Sequence, residues 1–172
     1  MSESIKIPVR ATGRAIGVAL LKTLYPYMSG NNRQCIVENR TQIEHVLDAS
    51  QRAYPEMPME IIAAIGFVET HLGCDQGEGG NWGAPISPTQ RHVAGTPFQA
   101  ATALWHSYER CHTWEGAARR FRTGLCRPTP TGSAYSRRAM HVVNRLRTHI
   151  NRQNEIHHDL CMNNINNRCN TM

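Results

Sequence analysis

The sequence predicts one mostly α-helical domain, and three observations carry that prediction. Apolar residues recur at three- and four-residue intervals through most of the chain. Helix start and stop signals bracket those stretches. The one long interruption, residues 73–95, is a Gly-rich segment without periodicity. A chain of 172 residues suits a single domain with a real core plus some peripheral chain, and no internal repeat divides it.

The first helix is expected around Ile16, Leu20, Leu21 and Leu24. Basic residues before this apolar stretch give it a faint likeness to a signal peptide. Lys22 interrupts it and no small-residue cleavage site follows, so a helix is expected and a signal peptide is not. NRTQIEHVLDASQRAY reads as a helix opened by Thr41 and Glu44 as a capping box, with Ile43, Val46, Leu47 and Tyr54 facing inward. Pro58 suits the first turn of the next helix, MEIIAAIGFVETHL, which is expected to stop at Gly73. Its core stripe is Ile61, Ala64, Ile65, Val68 and Leu72. Residues 73–95 then form a long loop or a minimal β element, and loops of this length in compact domains are usually functional or disordered.

Thr96, Pro97 and Gln99 restart a helix in TPFQAATALWHSYERC, as cap, first position and box. TWEGAARRFRTG is a shorter helix ending at Gly124, and CRPTPTGS is a turn-rich link. From about Tyr135 a last helix turns Tyr135, Ala139, Val142, Val143, Leu146 and Ile150 to one face and Arg137, Arg138, Arg145 and Arg147 to the other. Residues 151–172, rich in Asn and poor in apolar residues, read as a peripheral or extended tail. The chain is thus divided into N-terminal helices at 1–57, a core at 58–150 and a tail at 151–172.

Composition narrows the partners only slightly. The net charge of +6 comes almost wholly from arginine and suits any polyanion, whether nucleic acid, anionic lipid or an acidic bacterial wall. The arginines are dispersed and no helix-turn-helix pairing is evident, so nucleic acid is not an expected partner. No stretch approaches the ~20 apolar residues of a membrane span. Six cysteines permit disulfides outside a reducing cytosol, but nothing in their spacing sets a pairing, and mostly free, buried thiols are expected. Asp75, Glu78 and Asn81 do not fit the ligand spacing of an EF-hand. His157, His158, Cys161 and Cys169 lack a zinc spacing. No metal or cofactor is therefore expected.

Glu69 is the residue that raises a functional question. It borders the apolar stripe of its helix just before the Gly-rich loop. Position alone makes it an ordinary residue near a helix end. Against an apolar flank, however, a carboxyl disfavours its charged form and can serve as a proton donor to a glycosidic oxygen.

The neighbours favour the second reading. AIGFVETHLG resembles the catalytic-helix motif of the lysozyme-like superfamily, that is, soluble lytic transglycosylases and especially goose-type lysozymes, in which a Glu-Ser-His-x-Gly string ends the helix. Here it reads Glu69-Thr70-His71-Leu72-Gly73. GGNWGAPI is similar to the Gly-Ala loop that follows in those families, EGAARRFRTG to a helix ending in Tyr-Asn-Ala-Gly, and GSAYSRRAMHVVNRL to the last helix. The pieces keep their order over roughly residues 58–147. Two features depart: Pro85-Ile86 replaces the Gly-Leu-Met-Gln continuation, and Phe121-Arg122-Thr123-Gly124 stands at the Tyr-Asn-Ala-Gly position.

The resemblance implies a lysozyme-like single domain that cleaves the β-1,4 bond between N-acetylmuramic acid and N-acetylglucosamine in peptidoglycan, with Glu69 as catalytic acid. Thr70, Asn81, Trp82 and Tyr135 are the expected substrate contacts, and Asp75 is a candidate second carboxylate. Trp82 is either a stacking platform for a sugar ring or a plug beneath the loop; Asp75 either orients a water or merely solubilises the loop. Trp105 and Trp114 fall on helices and are expected in the core, and the arginines of the last helix are either a solvated face or a hold on the acidic peptide stem of the wall. The expected partners are peptidoglycan strands and other phage virion proteins, and the expected location is a phage particle or the bacterial periplasm and wall. The alternative is a lysozyme-like module that has lost catalysis and serves as a structural or wall-binding part of a phage particle.

Overall fold

The computed structural model of the protein describes residues 11–75 and 97–163. These residues form seven α-helices and a short 3-10 turn at Tyr25–Tyr27, with no strand among them. The Gly-rich segment from 76 to 96, with its expected loop or β element and the Thr96 cap, lies outside the described residues, as does the end of the tail from 164.

Helix α1, Gly13–Thr23, begins where Thr12 Oγ1 accepts from Ala15 N at 3.2 Å and buries Ile16, Ala19 and Leu20. It lies so close to α3, Arg40–Ala53, that a Cβ on Gly13 would strike the Glu44 carbonyl oxygen. Gly13 N instead donates to Asp48 Oδ1 at 2.8 Å. Between them α2, Gly30–Glu38, is a helix the apolar spacing does not announce, since it buries only Ile36. The expected capping box on α3 is absent. The helix starts one residue before Thr41, Asn39 caps it without a side-chain hydrogen bond, and Glu44 pairs with Arg40 at 2.6 Å. A box glutamate must reach back to the cap, and the adjacent guanidinium takes this one.

Helix α4, Met59–Thr70, is the centre of the molecule and touches α1, α3, α5 and α7. Met59 and every residue from Ile61 to Phe67 are buried, more than the single stripe expected, because helices cover it on several sides. It ends at Thr70, not at Gly73. His71, Leu72 and Gly73 all take left-handed backbone (φ 48°, 61° and 84°), and Leu72 N bonds Gly66 O at 2.9 Å. With His71 N on Phe67 O at 3.1 Å, that bond closes the helix before the glycine is reached.

Helices α5, Pro97–Cys111, and α6, Trp114–Thr123, pack on each other, and α6 packs on α7, Pro130–Asn163. Thr113 caps α6 by accepting from Gly116 N at 3.0 Å, and Gly124 ends it at φ 77°. Trp105 and Trp114 are half-buried against the core in an aromatic group with Tyr54 and Tyr108. The inward stripe of α7 is as expected: Tyr135, Ala139, Val142, Val143, Leu146 and Ile150 are all buried.

Two expectations change. α7 does not end near Ile150 but continues to Asn163, a 34-residue helix of about 51 Å. The first part of the tail is therefore helical, though residues 151–157 are exposed. The described cysteines are not free thiols: Cys35 bonds Cys74 and Cys111 bonds Cys126. Cys161 and Cys169 fall where no side chain is described.

Because residues 151–157 are exposed, truncation after Ile150 is expected to shift Tm by less than about 3 °C, the effect of under ~1 kcal/mol in a domain of this size. A fall of more than ~10 °C in a thermal melt would show that the last turns of α7 dock onto something.

Candidate functional site

Three helices deliver one side chain each to a common point. Glu69 stands in the last turn of α4, and its side chain is only 13% exposed. From α6, Arg122 brings Nη1 to 3.8 Å from Glu69 Oε2. From α7, Tyr135 lies buried, with the Arg122 guanidinium 5.9 Å from its ring centroid. The arginine is 53% exposed and the separation is long, so the ion pair is weak and the guanidinium is free to reorient.

Tyr135 is the most perturbed group of the site. Its hydroxyl pKa is pushed far above the ordinary value, first by burial, then by the negative charge of Glu69 and by Glu69 as acceptor; Arg122 and Arg138 pull it the other way. Among the described residues the hydroxyl nevertheless makes no hydrogen bond of full geometry. Its interaction with Glu69 is therefore loose, and a buried neutral O–H remains available to a ligand.

This shift sets a pH dependence. The folded protein keeps the tyrosine proton at pH values where an unfolded chain, titrating near 10, has released it. Above about pH 10 the unfolded state thus binds fewer protons, and stability falls with rising pH by as much as ~1.4 kcal/mol per unit from this group. Tyr135→Phe is expected to flatten that alkaline limb by a similar slope in denaturant titrations between about pH 10 and 12. An unchanged slope would mean that the hydroxyl ionises freely in the folded protein.

The other candidates behave differently. Thr70 is next to Glu69 in sequence, but its Oγ1 accepts from Gly73 N at 2.9 Å and braces the turn that ends α4. Asp75 sits beyond that turn, 46% exposed, and its Oδ1 accepts from His71 Nδ1 at 2.8 Å and Asn32 Nδ2 at 2.9 Å. With the Cys35–Cys74 bond one residue away, this network fastens the start of the loop to α2. Asn81, Trp82 and Glu78 lie outside the described residues. Arg122 is the member that sequence reasoning did not nominate, although its place in the Phe121-Arg122-Thr123-Gly124 string marks it as a departure from the family pattern.

Beside Glu69, Phe67 and Val68 of α4 and His71 just after it line a cavity of about 680 Å³ whose opposite wall is α7. Glu69 itself is not in its lining. No protein-family model, curated protein or solved structure matches the chain.

Proposed function

We propose that the protein cleaves the β-1,4 glycan bond of peptidoglycan between N-acetylmuramic acid and N-acetylglucosamine, with Glu69 as its single general acid, and that it works as a wall-degrading protein of a phage. The observation that carries this reading is the setting of Glu69. It is a largely shielded carboxyl at the end of the central buried helix, met by Arg122 and Tyr135 from two other helices. An idle helix-end glutamate has no need of such company.

Ordinary glycosidases use two carboxyls. The proposed chemistry needs one. Glu69 gives its proton to the leaving glycosidic oxygen as the C1–O bond breaks, and the N-acetyl oxygen of the muramic sugar stabilises the cationic centre. The 6-hydroxyl of that sugar then attacks C1, its proton passes to the Glu69 carboxylate, and a 1,6-anhydro end results. The acid of the first step is the base of the second. Tyr135, held neutral, supplies a donor beside the acid. Arg122 must swing away from Glu69 for the proton to be delivered, and its exposure allows that.

Goose-type hydrolysis, with water in place of the 6-hydroxyl, would call on Asp75. That carboxylate already accepts two hydrogen bonds on Oδ1, which favours a bracing role and hence the transglycosylase outcome. The two disulfides fit work outside a reducing cytosol, as in a virion or a periplasm.

A second reading has an observation of its own. Arg122 occupies the position where the family carries asparagine, and an arginine paired to the acid suits a retired active site kept for wall binding or as a virion part. Mass spectrometry of sacculi treated with the protein decides. Anhydro-muramyl ends support the transglycosylase, reducing ends a hydrolase, and binding without release the inactive module.

A further inference from the structure

The cavity next to Glu69 has a composition that the cleavage chemistry does not use. Its apolar lining comes from Leu24, Phe67, Val68 and Val142, and its polar lining includes Arg137, Arg138, His141 and Arg145 on α7. Among the described residues, no aspartate or glutamate lines it. A second cavity of about 500 Å³ shares Tyr27, His141 and Arg145 with the first, adds Lys22 and Arg152, and has no acidic residue among its described lining. The two form one basic track along α7 with an apolar strip at the Glu69 end.

Two observations tie this track to the candidate site. Val68 and His71, which line it, flank Glu69 in the chain. Arg138 also lines it, while its charge acts on the Tyr135 hydroxyl, which in turn responds to Glu69. Not all its cations are available to a ligand. Arg145 is held by Thr23 O at 3.3 Å and Tyr27 Oη at 2.7 Å, with its guanidinium 4.5 Å over the Tyr27 ring. It forms a fixed positive wall. Arg137 and Arg138 are exposed and can close on an anion from the open side.

We propose that this track is the binding site for the carboxylate-bearing peptide stem carried by the muramic sugar. The proposal rests on the peptidoglycan reading above and assigns it a substrate feature. A peptide stem alternates small alkyl groups with carboxylates, which matches an apolar strip edged by guanidinium forks. The dimensions agree. Arg138 and Arg145 are seven residues apart on one helix, about 10 Å, the length of roughly three extended peptide residues. The stem leaves the same sugar whose bond Glu69 would cleave, so a site adjoining Glu69 is where it would fall. The site would hold the muramic ring in register and select wall strands that still carry their stems.

The test measures binding of uncross-linked glycan strands with intact stems, and of the same strands stripped of stems by an amidase, to the Glu69→Gln protein so that no cleavage intervenes. Stem-bearing strands are expected to bind about tenfold more tightly, as two charge-assisted contacts allow. Adding Arg137→Ala and Arg138→Ala should abolish that preference, and a double Arg→Lys variant should recover part of it. Both arginines are exposed, so the fold is expected to tolerate these changes. Equal binding of the two strands, with sacculi still cleaved by wild type, would overturn the stem site and spare the cleavage reading. Binding of neither strand, with no cleavage of sacculi, would overturn both. A single-stranded oligonucleotide that binds more tightly than the stem-bearing glycan, and loses affinity in the double alanine variant, would give the track to nucleic acid instead.

Discussion

Glu69→Gln should leave the fold intact and lower the release of muropeptides from sacculi by about 10²- to 10⁴-fold, the usual worth of a positioned general acid. Glutamine keeps the size of the side chain and can still accept from Arg122 or a neighbouring donor, but it has no proton to give to the leaving oxygen. The structural loss is small. Among the described residues, the ion pair broken is a 3.8 Å contact to a half-exposed arginine, a class of interaction that contributes about 0–1 kcal/mol. A matching Tm with lost activity is therefore the expected result. Asp75→Asn separates the two outcomes of cleavage. A transglycosylase keeps most of its rate, because asparagine can still accept from His71 and Asn32, whereas an inverting hydrolase loses it. Equal muropeptide release by wild type and Glu69→Gln would remove Glu69 from the chemistry altogether.

How far the fold was legible follows from where each signal resides. The stripe of α7 and the inner face of α3 were readable because period alone separates their buried from their exposed residues; Ile43, Leu47, Val142 and Leu146 are buried as the spacing requires. Helix α2 was not, because one buried side chain, Ile36, makes no stripe. The boundaries failed where a local rule met a competitor. Arg40 captures the glutamate that a capping box at Thr41 would need. His71 and Leu72 accept the left-handed backbone that the sequence reserves for Gly73, because the bond from Leu72 N to Gly66 O and the His71–Asp75 contact hold them there. The α7 extension misled for the opposite reason: an Asn-rich, exposed continuation carries no apolar period, yet it propagates a helix already nucleated and packed.

The site was legible in its parts but not in its assembly. Glu69 and Tyr135 could be nominated from the motif order, but the convergence of α4, α6 and α7 that places Arg122 between them is tertiary. So are the disulfides. Cys35 and Cys74 are 39 residues apart, and only the docking of α2 against the turn after α4 brings them together.

That docking leads to the second large effect. By the chain-entropy relation, Cys35–Cys74, with a separation of 39, is worth about 4 kcal/mol, and Cys111–Cys126, with a separation of 15, about 3 kcal/mol. Cys35→Ser/Cys74→Ser and Cys111→Ser/Cys126→Ser should therefore both lower the urea midpoint markedly, the first somewhat more. Their effects on activity should differ more than their effects on stability. The first bond secures the residue next to Asp75, and with the Asn32 and His71 contacts it anchors the turn that begins two residues after Glu69. A displacement of about 1 Å in a catalytic group can reduce rate by ~10²-fold, so its loss should depress release from sacculi even well below the melting temperature. The second bond ties the end of α5 to the segment after α6, beyond the three-helix junction, and its loss should leave the rate of the folded fraction nearly unchanged. If both pairs reduce activity only in proportion to the fraction unfolded, the α2 tether does not position Glu69. If neither pair changes the urea midpoint, the protein works with reduced thiols, and the case for an oxidising compartment falls with it.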